Sequence, residues 1–442
     1  MTPGQGSPTT PFIAPGATLG QGSATTPFIA PGATLGQGSP TTPFIAPGAT
    51  LGQGSPTTPF IAPGATLGVM GGGQLARMFV HAAQQMGYAT AVLDPDPASP
   101  AGWVAHHHVQ ADYLDPQGLA RLAELSAAVT TEFENVPASA LARLAERRPV
   151  APAAAAVAVC QDRAAEKAQF LRSGVACAPH AVIESGAQLA AVGDDLLPGI
   201  LKTARLGYDG KGQRRVSTRA DLAGAWAALG RVACVLEQLL PLAREISVIV
   251  ARGVGGDIVN LPVQQNLHRD GVLAVTQVPA PDVAADVQRR AIAAARQVAA
   301  DLGYVGVLCV EFFVQRDGSL VANEIAPRPH NSGHHSIDSC DASQFDLQVR
   351  ALTGAPLAPP RQHSACVMLN LLGDLWGGPG EPARAPDWAA LLALPGVHLH
   401  LYGKAQARPG RKMGHLTVTA ASAGQADAVA RQAAERLGIE AW

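Results

Sequence analysis

Two glutamates, Glu311 and Glu324, lie in apolar runs, VGVLCVEFFV at 305–314 and SLVANEI at 319–325, that flank Gln315-Arg316-Asp317-Gly318. Asp-Gly between two strand-like runs is a strong hairpin signal. Counting outward from Asp317-Gly318 as a two-residue turn sets Glu311 directly opposite Glu324. Facing Cβ atoms about 4.5–5.5 Å apart would put two like charges on one face. A buried carboxylate pair needs a cation or a shared proton, and a hard divalent ion with oxygen ligands, its shell completed by phosphate, suits it. The competing reading, two solvent-facing glutamates on an edge hairpin, rests on the rarity of buried acids. The apolar neighbours of Glu311 argue against it. So does what surrounds the second glutamate: Asn323 precedes it, and Arg328, His330, Asn331, Ser332 and His334 crowd the next ten positions.

A second group has the composition of a phosphate site. Lys202 ends a strand-like run, and GYDGKGQ at 207–213 follows before the next. Glycines let a loop approach phosphate oxygens and present N–H groups, while Lys202 and Lys211 add charge. The loop is not a Walker A motif, because the G-K-[ST] order and the following helix are missing; an ordinary hairpin loop would also fit. Arg163 and Lys167 sit four apart on a helix with Asp162 at its N-cap, where they either reach a ligand together or lie on the surface.

Elements must hold these groups in place. Residues 65–70 read as a strand, 71–76 as a glycine turn, 75–86 as a helix and 88–93 as a second strand ending at Asp94, a β-α-β opening of a parallel sheet. A strand at 127–131 brings residues 132–136 to its carboxyl end, where α/β sheets bind ligands, and 137–148 reads as a helix. From about 179 the pattern becomes α+β, with strands at 199–203, 214–216, 233–237 and 245–251, an alanine-rich helix at 283–303, and then the two glutamate strands. A last segment at 366–442 has strands near 367–371 and 415–419 and a terminal helix.

The chain has 442 residues, enough for two to four packed domains. Hydrophobic residues make up 47% and the net charge is -2, so there is no basic field that would favour nucleic acid. Six cysteines, widely spread and without a C-x-x-C, read as reduced thiols. No apolar run reaches about 18 residues and no basic leader opens the chain, so no membrane partner is expected and a cytoplasmic location is. The first 67 residues repeat GQGSPTTPFIAPGATL four times, with Ala24 the one change, and carry no charge. A solenoid or an interaction array is one reading of such a period. So many prolines and glycines, however, supply no element to stack, and a disordered tail over 1–64 is the expectation.

Six stretches in this order and spacing, GGGQLARM (71–78), TTEFENVP (130–137), GYDGKGQ (207–213), NLHRDG (266–271), NEIAPRPHNSGHH (323–335) and RPGRKMGHL (408–416), resemble the ATP-grasp superfamily. Within it they resemble the N5-carboxyaminoimidazole ribonucleotide synthetase family, which carboxylates an amine at the expense of ATP in purine biosynthesis. The likeness runs over about 65–442. It implies a mixed α/β and α+β fold: a Rossmann-like pre-ATP-grasp domain at 65–160, an ATP-grasp domain at 161–365 with a lid near 179–240, and a small C-terminal domain at 366–442.

By position, the resemblance implies that Arg163, Lys202, Tyr208, Gly210, Lys211 and Gln213 contact ATP, that Glu237 lies at the adenine hinge, and that Glu245 meets the ribose. Glu311 and Glu324 match the ligands of one or two Mg²⁺, with Asn323 beside them. Arg328, Asn331 and Ser332 would stabilise the bicarbonate-derived group, and Asp209 and His268 would stand near the reacting amine. Lys404, Arg411 and Lys412 would grip the ribonucleotide phosphate, with Gln74 and Glu134 completing that pocket. The family transfers the γ-phosphoryl of ATP to bicarbonate, a poor electrophile, and passes the carboxyl group from carboxyphosphate to aminoimidazole ribonucleotide under a lid that excludes water. A homodimer is also implied. Ala76 departs from the family's glycine, and the repeats have no counterpart.

Three other readings are open. A formate-dependent glycinamide ribonucleotide transformylase would share the architecture and the metal pair. Gly71-x-Gly73-x-x-Ala76 after a strand, with Asp94 about 20 residues on, satisfies the dinucleotide fingerprint of an NAD-dependent oxidoreductase. A non-catalytic protein displaying its repeats would need nothing beyond 1–67.

Overall fold

The structure, a computed structural model, describes residues 60–207, 212–377 and 384–442. Tyr208, Asp209, Gly210 and Lys211 therefore lie outside the described residues, as do residues 1–59 of the repeat segment.

The first sheet is parallel. Its strands are β1 (Thr66–Met70), β2 (Ala89–Leu93), β3 (His107–Val109) and β4 (Ala128–Thr131), in the order β3-β2-β1-β4. The helix Gln74–Gln85 carries the crossover from β1 to β2 and the helix Pro116–Leu125 that from β3 to β4, while a loop joins β2 to β3. The second helix starts where Asp115 accepts from the N–H groups of Gln117 and Gly118, with Pro116 at its first position. Leu67, Val69, Leu75, Phe79 and Ala83 form the core beneath the first helix, and Phe345, Val349 and Leu352 of the helix Gln344–Thr353 join it. Within the expected tail, Ile61 is fixed on this body: its N–H donates to Thr353 O (2.9 Å), and its carbonyl accepts from Tyr88 Oη (2.7 Å).

The second sheet is a small antiparallel one. It contains β5 (His180–Ile183), β6 (Gly199–Thr203), β7 (Gln213–Val216) and β8 (Cys234–Gln238), in the order β5-β8-β6-β7. The helix Arg219–Ala228, started by a Thr218/Asp221 capping box, buries Leu222 and Trp226 against it.

The remaining strands form one nine-stranded sheet: β9 (Leu242–Arg252), β10 (Ile258–Asn260), β11 (Gln264–Arg269), β12 (Val272–Val278), β13 (Gly306–Gln315), β14 (Leu320–Ala326), β15 (Ala365–Leu372), β16 (Val397–Leu401) and β17 (Lys412–Ala420). Its order is β14-β13-β9-β11-β12-β15-β17-β16, with β10 on β9. The helix Ala285–Asp301 packs on it through Val287, Ala291, Ala295 and Val298, whose spacing keeps one face of the helix apolar. β12 pairs with β15, so the C-terminal segment extends the sheet that carries the glutamates rather than building a sheet of its own. The helix Ala423–Leu437 covers it with Ala426, Ala430, Ala433 and Ala434, small residues that allow close approach. Among the described residues no helix is long and apolar enough to cross a membrane.

Candidate active site

Glu311 and Glu324 are cross-strand partners, by a different route from the one the Asp-Gly signal suggests. Gln315 N–H donates to Ser319 O and Gly318 N–H to Gln315 O, so the loop has three residues, Arg316-Asp317-Gly318, and Gly318 sits at φ 79°. A left-handed residue closing a three-residue hairpin loop is a standard form. Partners then run Val314↔Leu320, Phe313↔Val321 and Phe312↔Ala322, before a bulge skips Asn323 and sets Glu324 opposite Glu311. Asp270-Gly271, with φ of 50° and 79°, is a true two-residue turn between β11 and β12.

Glu311 is buried while Glu324 is half-buried. Burial first, and the Glu324 charge second, push the Glu311 carboxyl above the usual carboxylate range. His330 Nε2 lies 3.3 Å from Glu311 Oε1, and its Nδ1 is 2.9 Å from Ser332 Oγ. Ser332 Oγ is 2.7 Å from Ser247 Oγ on β9, which also accepts from the Asn266 amide on β11. The Ser332 hydroxyl is thus committed to a buried chain of hydrogen bonds. Asn331 differs: both its amide atoms are buried without a protein partner among the described residues, and so is Asn323 Oδ1. Orphaned buried polar atoms call for a partner, and beside a carboxylate pair a bound ligand or ion would supply one.

Cations converge on the same end of the sheet. Asp162 accepts from the N–H groups of Ala164 and Ala165 and starts the helix Arg163–Arg172. From that helix Arg163 reaches to 3.7 Å of Glu324, and Lys167 Nζ donates to Asn323 O at 2.9 Å. Lys167 is fully buried, so the surface alternative for this pair fails for it. Lys202, on β6 opposite Gln213 on β7, joins Lys167 on one carboxylate: Glu237 Oε2 is 3.0 Å from Lys202 and Oε1 is 3.4 Å from Lys167. Burial alone would raise the Glu237 carboxyl, yet the two lysines hold it down at about 2. For Lys202, burial outweighs the attraction of Glu237 and lowers its pKa. Glu237 is therefore an internal counter-charge shared by two lysines, while Arg163 faces Glu324. Glu245 pairs with His268 Nδ1; burial opposes charge on this imidazole, but Glu245, Glu311 and Glu324 together raise its pKa.

The groups expected to hold the second substrate meet the first at Arg328, which is ion-paired with Glu134. Burial would raise the Glu134 carboxyl, but Arg328 and, more weakly, Lys412 bring it below its ordinary value. Gln161 donates its amide to Glu134 O (2.6 Å) and Val136 O (2.7 Å), holding the loop after β4. Lys404 Nζ donates to Lys412 O at 2.7 Å, Arg411 donates to Gln406 O at 2.9 Å, and Gln74 opens the first helix.

Residues 64–161 match the ribonucleotide synthetase preATP-grasp domain, 168–345 the ATP-grasp domain and 366–429 the phosphoribosylaminoimidazole carboxylase C-terminal domain. N5-carboxyaminoimidazole ribonucleotide synthase of Brucella melitensis is 44% identical over 352 residues, spanning 79% of this chain and 94% of the relative. The chain belongs to the N5-carboxyaminoimidazole ribonucleotide synthase family. An ADP complex of N5-carboxyaminoimidazole ribonucleotide synthetase superposes with a TM-score of 0.80 at 37% identity, covering 85% of this chain and 98% of that one. The enzyme of Aspergillus clavatus in complex with ADP and 5-aminoimidazole ribonucleotide does so with a TM-score of 0.77 at 31% identity, covering 85% and 98%. The family's ATP-grasp fold, with its preATP-grasp and C-terminal domains, is the fold of this chain.

Within this family the dinucleotide-like glycines have a local explanation. Glu132 at the end of β4 accepts from the N–H groups of Gly73 (3.0 Å) and Ala76 (3.2 Å), so a carboxylate of the chain itself sits on the helix N-terminus where a pyrophosphate would bind. A Cβ on Gly73 would lie 2.5 Å from Glu132 Oε1. Asp94, placed where a dinucleotide-binding acid meets ribose, instead accepts from Gly72 N–H and Tyr113 O–H, both at 2.7 Å. The fingerprint is satisfied from inside, and the oxidoreductase reading loses its motif. Ala76, the departure from the family pattern, is fully buried in the core behind this turn.

Two contributors escape a reading of the sequence. Gln161 carries no charge and no motif. Glu166, the partner of Ile325 N–H at 2.6 Å, reads as an ordinary helix acid.

Proposed function

We propose that this chain is an ATP-dependent ligase that carboxylates 5-aminoimidazole ribonucleotide with bicarbonate, giving N5-carboxyaminoimidazole ribonucleotide, ADP and phosphate in purine biosynthesis. The observation that carries the reading is the convergence of the Glu311/Glu324 pair with Lys167, Lys202 and Arg163 at one end of a sheet. That end is joined through Arg328 and Glu134 to the preATP-grasp domain.

Glu311 and Glu324 would hold Mg²⁺, with Asn323 as a neighbouring ligand. The donor set fits: every candidate atom is oxygen, burial and then the Glu324 charge raise the Glu311 carboxyl, and Asn323 Oδ1 has no partner among the described residues. Bound there, Mg²⁺ supplies charge neutralisation for the transferring phosphoryl group. Lys202, Lys167 and Arg163 bind the phosphates, Lys202 and Lys167 held by Glu237. Excluding water from the phosphates is the role this reading assigns to the segment 207–212, of which 208–211 lie outside the described residues. Gln213, at the start of β7, and Glu245, on β9, border the nucleotide.

A bicarbonate oxygen attacks the γ-phosphorus, the bond to the β-phosphate bridging oxygen breaks, and ADP leaves. Arg328 and Asn331 hold the resulting carboxyphosphate, with the Ser332 hydroxyl holding the His330 ring beside them. The amine nitrogen then takes the carboxyl carbon and phosphate departs with the oxygen that made the first attack. His268, oriented by Glu245, serves the amine in this reading, and Asp209, outside the described residues, is assigned there by the family resemblance alone. Lys404, Arg411, Lys412, Gln74 and Glu134 bind the ribonucleotide. We also take the active form to be a homodimer in the cytoplasm. Bicarbonate labelled with ¹⁸O tests the order of events: one label should appear in the released phosphate, and unlabelled phosphate would overturn the carboxyphosphate route.

A further inference from the structure

The far edge of the nine-stranded sheet carries histidines that this reaction does not use. His398 and His400 are two residues apart on the edge strand β16 and so share a face. His400 lies directly across from His415 on β17, with the rings stacked 4.5 Å apart at 12°. Asp338, on the short helix Ser336–Ser339, reaches both edge histidines: Oδ2 is 2.9 Å from His400 Nε2 and Oδ1 is 3.7 Å from His398 Nδ1.

His415 decides the reading. It is fully buried, its Nδ1 is 2.9 Å from Tyr402 Oη, and its Nε2 has no hydrogen-bond partner among the described residues. Leaving a buried polar nitrogen unpaired is costly. One ring nitrogen fixed by a protein oxygen and the other left bare is how metal-binding histidines are held. One ligand atom from each of Asp338, His400 and His415 lies within 4.8 Å of the others. Ligands on a tetrahedral ion at about 2.0–2.1 Å stand roughly 3.3 Å apart, so a small rotation of the half-exposed His400 closes the site.

We propose that Asp338, His400 and His415 bind a borderline divalent transition-metal ion, with Zn²⁺ as the type ion and His398 as the available fourth ligand. Two imidazoles and one carboxylate favour such an ion over Mg²⁺, which takes oxygen ligands, so this site and the Glu311/Glu324 pair do not compete for one metal. Asp338 follows the segment that bears Arg328 and Asn331, and His400 and His415 belong to the C-terminal strands. The ion ties the short helix that bears Asp338 to the C-terminal strands and raises stability in proportion to its binding.

The test uses untagged full-length protein, stripped with chelator and then titrated with Zn²⁺ in the presence of excess Mg²⁺ and ADP. Zinc retained after desalting is measured by mass spectrometry. The expected result is one zinc per chain with a rise in Tm, both reduced at least tenfold in affinity by His400→Gln and by Asp338→Asn. His400 is on an edge strand, so its variant keeps the core, which circular dichroism checks. Co²⁺ in place of Zn²⁺ should show d–d absorption without a thiolate charge-transfer band. No retained zinc in the wild type, undiminished binding in both variants, or a thiolate band would overturn the site.

Discussion

Glu311 and Glu324 stand opposite each other because two one-residue irregularities cancel: the hairpin loop is one residue longer than a two-residue turn, and the bulge at Asn323 restores the register. Because side chains alternate across a strand, either irregularity alone would put one glutamate out of line. The bulge also leaves Asn323 with its carbonyl on Lys167 and its side-chain oxygen without a partner among the described residues. Replacing Glu324 by Gln keeps the shape and removes one charge. Mg²⁺-dependent ATP turnover should fall by about a hundred- to a thousandfold, an effect of the size seen when a major electrostatic contributor is lost. Turnover within a few-fold of wild type would remove the metal assignment.

Lys167 is the buried partner that Glu237 shares with Lys202. Lys167→Met leaves Glu237 with one lysine and Asn323 O without its donor. Breaking a buried pair costs about 3–5 kcal/mol, and urea unfolding should register a loss near the lower end because Lys202 remains. The KM for ATP should rise by more than tenfold, measured as ADP release at saturating second substrate.

Gln161 links the two halves of the site, since it holds the loop bearing Glu134 and directly precedes Asp162 and Arg163. Gln161→Leu should raise the KM for aminoimidazole ribonucleotide by about tenfold, the loss of roughly 1.4 kcal/mol expected for a buried hydrogen-bond pair. The KM for ATP should change much less. An equal rise in both constants would indicate general loosening rather than loop positioning.

Glu166 gives a pH prediction with a definite sign. Burial raises its folded-state pKa from 4.5 to about 8. The native state therefore holds the proton more tightly than the unfolded chain, and this contribution to stability is full below pH 4.5 and is lost as pH rises through about 8. Glu166→Gln keeps the acceptor for Ile325 N–H and does not ionise. The stability difference between the variant and wild type should grow in the variant's favour from pH 5 to 8, read from urea midpoints, and a flat difference would contradict it.

Much of the site was legible because its chemistry needs charged residues beside glycines and apolar runs. The glutamate pair, Lys202 and the Arg328–His334 segment stand out for that reason. The parallel opening sheet and the long alanine-rich helix follow from periodicity. What was not legible depends on three-dimensional neighbours. Lys167 reads as surface until β14 is packed against its helix, and Glu132 reads as a loop acid until it reaches the helix N-terminus. Gln161 has no chemistry of its own to announce it. The continuity of β12 with β15 pairs residues far apart in the chain, such as Val275 with Leu369, and no local signal encodes it.

The central claim is the substrate pair. ADP release should be measured with aminoimidazole ribonucleotide plus bicarbonate and, separately, with glycinamide ribonucleotide plus formate, each with and without Mg²⁺. Release that requires Mg²⁺, aminoimidazole ribonucleotide and bicarbonate together is the predicted result. Release only with glycinamide ribonucleotide and formate would contradict it.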